Sequence, residues 1–89
     1  MSDSLVIIPT YNEKENIRKI ISAALQLTPR FDVLIVDDGS PDGTAAEVKD
    51  MADKHPNRIF LIERKGKLGL GTAYIRGFRW GIENGYDYI

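Results

Sequence analysis

Two adjacent aspartates behind an apolar run are the first residues here whose types and spacing could do chemistry. They are Asp37 and Asp38, in the stretch IVDDGSPDGT at residues 35–44. Neighbouring carboxylates at the end of a buried strand repel each other and are partly desolvated, so each needs a partner. The partner could be a metal ion, a phosphoryl group, the donors of a nucleoside, or the free amides of a helix start. Spacing weighs against three specific readings. Read as a calcium loop, Asp38, Ser40, Asp42 and Gly43 fit the first positions, but Lys49 stands where the bidentate glutamate belongs and Pro41 reads as a helix start. Read as a dinucleotide site, the acid is in place, yet the first turn, PTYNEKEN, has no glycine. GLGTAY lies in a later turn, with Tyr74 in place of the third glycine. A phosphoacceptor receiver would carry its acid pair after the first strand, not the second, and a further Asp after the third, which here ends in Glu63-Arg64.

The elements that must position these residues alternate. Residues 4–8, SLVII, form a short β-branched run closed by Pro9 and read as a buried strand. Asn12 and Glu15 have capping-box spacing, and the helix behind them puts Ile17, Ile20, Ile21, Ala24 and Leu25 on one face. DVLIVD, apolar on both faces, reads as a central parallel strand. Ser40 with Pro41 reads as the cap and first position of a second helix, with Ala45, Val48, Met51 and Ala52 inward, ending near His55-Pro56. RIFLIE is a third strand, RKGKLGLG a basic glycine-rich loop, and residues 70–84 a third helix followed by Gly85. On that helix Phe78 reads as core, Tyr74 and Trp80 as interface or partly exposed. Arg76 and Arg79 read as a solvated face, and Gly77 and Gly81 as places of close approach to the sheet. YDYI begins a fourth strand. The order β-α-β-α-β-α-β with short connections predicts right-handed crossovers and a parallel sheet with helices on both faces. With the fourth strand only begun, the chain is expected to be part of a larger domain.

In such sheets ligands sit beyond the carboxyl ends of the strands. Those ends hold residues 9–13, 37–40 and 63–71, which together supply an aromatic ring, several carboxylates, helix starts and a cationic glycine-rich loop. That mixture suits a nucleotide. Taken singly, Tyr11 is as well read as a rim aromatic, Asn12 and Glu15 as a simple cap, and His55 as a surface residue. Composition narrows the classes. A formal net charge of −1 gives no basic face for nucleic acid, and the absence of cysteine removes disulfides and thiolate metal sites, which fits a reducing compartment. No apolar run is long enough to cross a bilayer, and Met1-Ser2-Asp3 has no signal-peptide character, so a cytoplasmic address is expected.

Three segments in this order and at these separations, IIPTYNEKENI, VLIVDDGSPDGT and GKLGLGTAYIRGF, resemble the start of a family 2 glycosyltransferase, most closely the polyprenol-phosphate (dolichol-phosphate) mannosyltransferase group. The likeness runs from Val6 to the end of the chain. It implies the nucleotide-binding half of a GT-A, Rossmann-like fold, and a GDP-mannose or other nucleoside-diphosphate-sugar donor serving a polyprenyl phosphate acceptor. Residues matching Pro9, Tyr11 and Glu13 would line the base and ribose pocket, and those matching Val36 and Asp38 would hold the nucleoside from the second strand. Asp37 would steady the turn by bonding backbone amides, and Lys67, Gly69 and Gly71 would form the diphosphate loop. The family's Asp-x-Asp metal motif follows the fourth strand. Residues 1–89 are therefore expected to be the N-terminal nucleotide-sugar-binding part of the domain, truncated before that motif, with no catalytic and no metal-ligating residue of their own and inactive alone. The full enzyme would use Mg or Mn and sit peripherally on the cytoplasmic membrane face. The alternatives are a UDP-sugar transferase of surface polysaccharide synthesis and a non-catalytic nucleotide-binding or interaction module. Unpaired sheet edges predict self-association.

Overall fold

The computed structural model describes residues 4–27, 31–65 and 69–89 of the chain. Its elements are β1 (Ser4–Thr10), α1 (Ile17–Leu27), β2 (Phe31–Asp37), α2 (Thr44–Lys54), β3 (Ile59–Glu63) and α3 (Leu70–Glu83). The three strands are parallel, in the order β1-β2-β3. β2 is the central strand because it is apolar on both faces, and its residues from Asp32 to Asp37 are all buried. Its side chains alternate. Val33 and Ile35 enter a core with Ile17, Ile21 and Ala24 of α1 and Val48 and Met51 of α2. Leu34 and Val36 enter a second core with Leu5, Ala73 and Tyr86, against which Phe60 and Trp80 pack. Helices thus cover both faces, as the alternation of elements predicts.

Register decides what meets at the strand ends. Thr10 lies opposite Asp37, and Asp37 opposite Glu63, so all three strands finish at one level. β1 runs through Pro9 to Thr10 rather than stopping at Ile8. The proline is tolerated because in a parallel ladder alternate residues point their main chain to the same side. Leu5 N–H donates to Tyr88 O on the outer side of β1, at 2.8 Å, so Pro9 also faces outward and costs no β1–β2 hydrogen bond. The fourth segment meets β1 at a parallel bridge between Ser4 and Tyr88 rather than along a described strand.

Three local expectations are corrected. The Asn12/Glu15 capping box is replaced by a tighter entry: Glu13 C=O accepts from Ile17 N–H at 2.7 Å, and Asn12 sits at φ 55°, a left-handed conformation that asparagine tolerates. Neither Ser40 nor Pro41 starts α2; both lie in the preceding turn, and Gly43 at φ 94° is the N-cap residue. Asp42 takes over the capping role by accepting from Thr44 N–H at 3.0 Å. Phe78 is 45% exposed and outside the core. α3 approaches the sheet through Ala73, Gly77 and Gly81, which are four residues apart, and this turns its aromatic neighbour aside. A Cβ on Gly77 would come within 2.7 Å of Ile7 Cγ2, so the close-approach reading of that glycine holds.

Candidate nucleotide site

The two aspartates that pose the question do different work because successive residues of a strand face opposite sides of the sheet. Asp37 turns toward the α1–α2 side and is 1% exposed. Its Oδ1 accepts from the hydroxyls of Thr10 and Ser40, both at 2.7 Å, and its Oδ2 accepts from Ser40 N–H at 2.9 Å. It steadies the β2–α2 turn, as the resemblance implies for its counterpart. Asp38, one residue on, turns toward α3, where its Oδ1 accepts from Arg64 Nε at 2.6 Å. Both partners are nearly closed off from solvent, with side-chain exposures of 10% for Arg64 and 8% for Asp38.

The same turn ties the first two loops together. Asn12 N–H donates to Ser40 Oγ at 2.8 Å, Glu13 N–H to Thr44 Oγ1 at 3.0 Å, and Lys14 N–H to Asp42 Oδ2 at 3.1 Å. These amides belong to the turn that leads into α1. Side chains of the β2–α2 loop occupy them, so they are not free for phosphate. Hydrogen bonds from Thr44 foremost, and from the amide of Lys14, hold the Asp42 carboxyl below its ordinary pKa.

A cleft of about 110 Å³ opens on the other side, lined by Pro9, Thr10, Tyr11, Asp38, Gly69 and Leu70. Of the residues singled out from the sequence, it brings together Pro9, Tyr11, Asp38 and Gly69. Tyr11 is 38% exposed at its rim. Glu13 is half-buried beside the cleft's lining rather than part of it. The Val36 side chain is fully buried in the α3-side core. Gly71 is exposed in the first turn of α3, and Lys67 lies outside the described residues. Sequence reasoning missed Arg64, Thr10 and Leu70. Arg64 is placed by register: the third strand ends at the level of the second, so the residue after Glu63 stands beside Asp38, and no local pattern announces it.

The acids of this site do not fit a divalent cation. Both oxygens of Asp37 are committed to hydroxyl and amide donors, and a guanidinium holds Asp38. Among the described residues no group of three or more His, Cys, Asp or Glu is placed to hold a metal ion.

The chain as a whole also matches a known family. The model for "Glycosyl transferase family 2" matches residues 5–82. The chain belongs to that family. It is 46% identical over 86 residues to a polyprenol monophosphomannose synthase of Mycolicibacterium smegmatis, covering 97% of this chain and 32% of that protein. It is 47% identical over 85 residues to an undecaprenyl-phosphate mannosyltransferase of Micrococcus luteus, covering 96% of this chain and 35% of the relative. A dolichol-phosphate mannosyltransferase of Pyrococcus furiosus is 42% identical over 77 residues, 83% of this chain and 21% of the relative. This family 2 chain therefore spans about a third or less of the length of these curated relatives. Among solved structures, a mannosyltransferase from Pyrobaculum calidifontis in complex with GDP-Man and Mn²⁺ superposes with a TM-score of 0.78. It is 29% identical, and the match covers 88% of this chain and 24% of that one. The parallel α/β architecture is thus that of a family 2 glycosyltransferase.

Proposed function

We propose that this family 2 chain binds the nucleoside diphosphate part of a sugar nucleotide, GDP-mannose, within a longer enzyme that transfers mannose to a polyprenyl phosphate. The observation that carries this reading is the convergence of Pro9, Tyr11 and Asp38 with Gly69 on one cleft beyond the carboxyl ends of β1 and β2. Tyr11 offers a ring face to a base. Asp38 offers a carboxylate oxygen to a base N–H or a ribose hydroxyl. Gly69, which has no side chain, lets a diphosphate approach the start of α3, with Lys67 and Gly71 as the remaining members of that loop. Glu13 and Val36 complete the set, Glu13 from the loop beside the cleft and Val36 as packing beneath it. The likeness to a polyprenol monophosphomannose synthase and an undecaprenyl-phosphate mannosyltransferase supports mannose and a polyprenyl phosphate as donor sugar and acceptor.

Residues 1–89 act in this reading as the nucleotide-sugar-binding part of the transferase domain. A divalent cation, Mg or Mn, serves the whole enzyme, and Asp37 and Asp38, held by their own donors, are not its ligands in this reading. The acceptor is a membrane lipid, so a peripheral place on the cytoplasmic membrane face goes with the proposal. Among the described residues no helix is long and apolar enough to cross a membrane.

Calorimetric titration of the chain with GDP, UDP and GDP-mannose, with and without Mn²⁺, tests the proposal. Saturable binding of GDP and GDP-mannose is the expected result. Preference for UDP would move the chain to the UDP-sugar branch, and no binding of any nucleotide would overturn the reading.

A further inference from the structure

We infer that Arg64 is the positioning residue of the cleft, orienting Asp38 for its ligand and fixing the start of α3 as the opposite wall; the inference rests on the nucleoside reading of Asp38. One guanidinium reaches both walls. Nε donates to Asp38 Oδ1 at 2.6 Å, Nη1 to Thr72 Oγ1 at 3.1 Å and Nη2 to Gly69 O at 3.3 Å. Thr72 Oγ1 in turn donates to Gly69 O at 2.8 Å, inside the same turn. The main chain anchors the residue as well, since Arg64 N–H donates to Asp37 O at 2.7 Å and so continues the strand pairing past Glu63. Asp38 N–H makes the matching bond to Thr10 O at 3.1 Å.

Two consequences follow from this geometry. Asp38 is held with one oxygen committed to Arg64, which leaves the other to meet a ligand donor. Gly69 and Leu70, which face Asp38 across the cleft, are tied to the same group, so the width of the cleft depends on Arg64. A planar fork with donors on three nitrogens is needed for this, and lysine, a point charge, cannot reproduce it. Three of the five N–H donors of Arg64 already have partners in the chain, and its role is assigned to Asp38 and the loop rather than to the diphosphate.

The test is a double-mutant cycle on the 89-residue chain with Arg64→Gln, Asp38→Asn and both together, titrated with guanosine and with GDP. The expected result is that Arg64→Gln weakens both ligands by the same factor, on the order of tenfold, and adds nothing in the Asp38→Asn background. Arg64→Lys restores part of the guanosine affinity. A loss confined to GDP and undiminished in the Asp38→Asn background would mean that Arg64 touches the diphosphate, and would overturn the inference. So would unchanged affinity for both ligands. Amide hydrogen exchange at residues 70–73 gives a readout that needs no ligand: Arg64→Gln speeds it on the order of tenfold relative to α1, and Arg64→Lys leaves it fast. If the unsubstituted chain binds neither ligand, the nucleotide reading falls and exchange alone decides; unaltered exchange in Arg64→Gln overturns the inference. Should Arg64→Gln fail to fold, Arg64→Lys carries both measurements.

Discussion

The central strand carries a buried acid at each end, and the two ends differ in what stands over the carboxylate. At the carboxyl end, Asp38 is 6% exposed and opens on a cleft shared with Pro9 and Tyr11. At the amino end, Asp32 is 1% exposed beneath Tyr86, whose hydroxyl donates to Asp32 Oδ2 at 2.6 Å. The other Asp32 oxygen lies 3.7 Å from Arg58 Nε, and neither of these two atoms makes a hydrogen bond. Arg58 instead donates through Nη2 to Phe31 O at 2.8 Å. Both ends therefore carry a buried Asp with an Arg beside it. Among the described residues only the carboxyl end has a bare glycine turn and open space facing the acid. A buried ion pair is weak evidence for function, and the space in front of it separates a binding site from a structural staple.

Substitutions at the two ends should break this comparison in opposite ways. The largest effect is expected at Asp37, which neither faces the cleft nor closes the far end but holds the β2–α2 turn beside Asp38. Asp37→Ala strands the Thr10 and Ser40 hydroxyls and Ser40 N–H in a buried setting, and should cost about 3 kcal/mol or more. A shift of the urea midpoint by the matching amount, at unchanged slope, checks it. Next is the ligand effect of the cleft acid. Asp38→Asn should weaken GDP on the order of tenfold or more, whereas Asp32→Asn should leave GDP affinity within about twofold while lowering the melting temperature. Equal losses of affinity from the two, by calorimetry, would erase the distinction drawn between the ends.

Tyr86→Phe comes third. It removes the 2.6 Å donor from a buried carboxylate and should destabilise by about 1–3 kcal/mol, read from thermal or chemical denaturation, with nucleotide affinity unchanged. Burial first, and the Asp32 hydrogen bond second, raise the Tyr86 phenol above its ordinary value of 10.0. Above that pH the unfolded chain has lost the phenolic proton while the folded chain keeps it, so the unfolded state binds fewer protons and stability falls as pH rises. The unsubstituted chain should show this alkaline decline and Tyr86→Phe should lack it.

The smallest effect belongs to the loop beside the cleft. The Asp42 carboxyl is held below its ordinary 3.8, so what it contributes is present above that value and fades as pH falls below it. Asp42→Asn should flatten the acid limb of the stability profile slightly and leave the alkaline limb untouched.

Much of this was legible from residue types, and the failures have local causes. The strands, the two-faced burial of β2, the inward face of α1 and the glycines of α3 follow from periodicity, which local sequence carries. Helix starts were misread because Asn12 with Glu15, and Ser40 with Pro41, have the chemistry of caps, yet partners from the neighbouring loop took their place. Asn12, Glu13 and Lys14 donate to Ser40, Thr44 and Asp42, residues about thirty positions away, and no local pattern announces that pairing. Phe78 was misassigned because hydrophobic type suggests burial, whereas a helix packed through small residues carries its bulky neighbours to the side.

By itself, then, the sequence determined the order of elements, the parallel sheet with helices on both faces, and the three motifs that match the family. Its spacing also weighed against a calcium loop, a dinucleotide site and a phosphoacceptor pair at Asp37-Asp38. Only the tertiary structure decided which carboxylate meets the cleft, which arginine stands behind it, and that Asp32 at the far end is closed under Tyr86. The reason is physical: composition and period are properties of neighbouring residues, whereas Asp38 meets Arg64 only because β2 and β3 end in register.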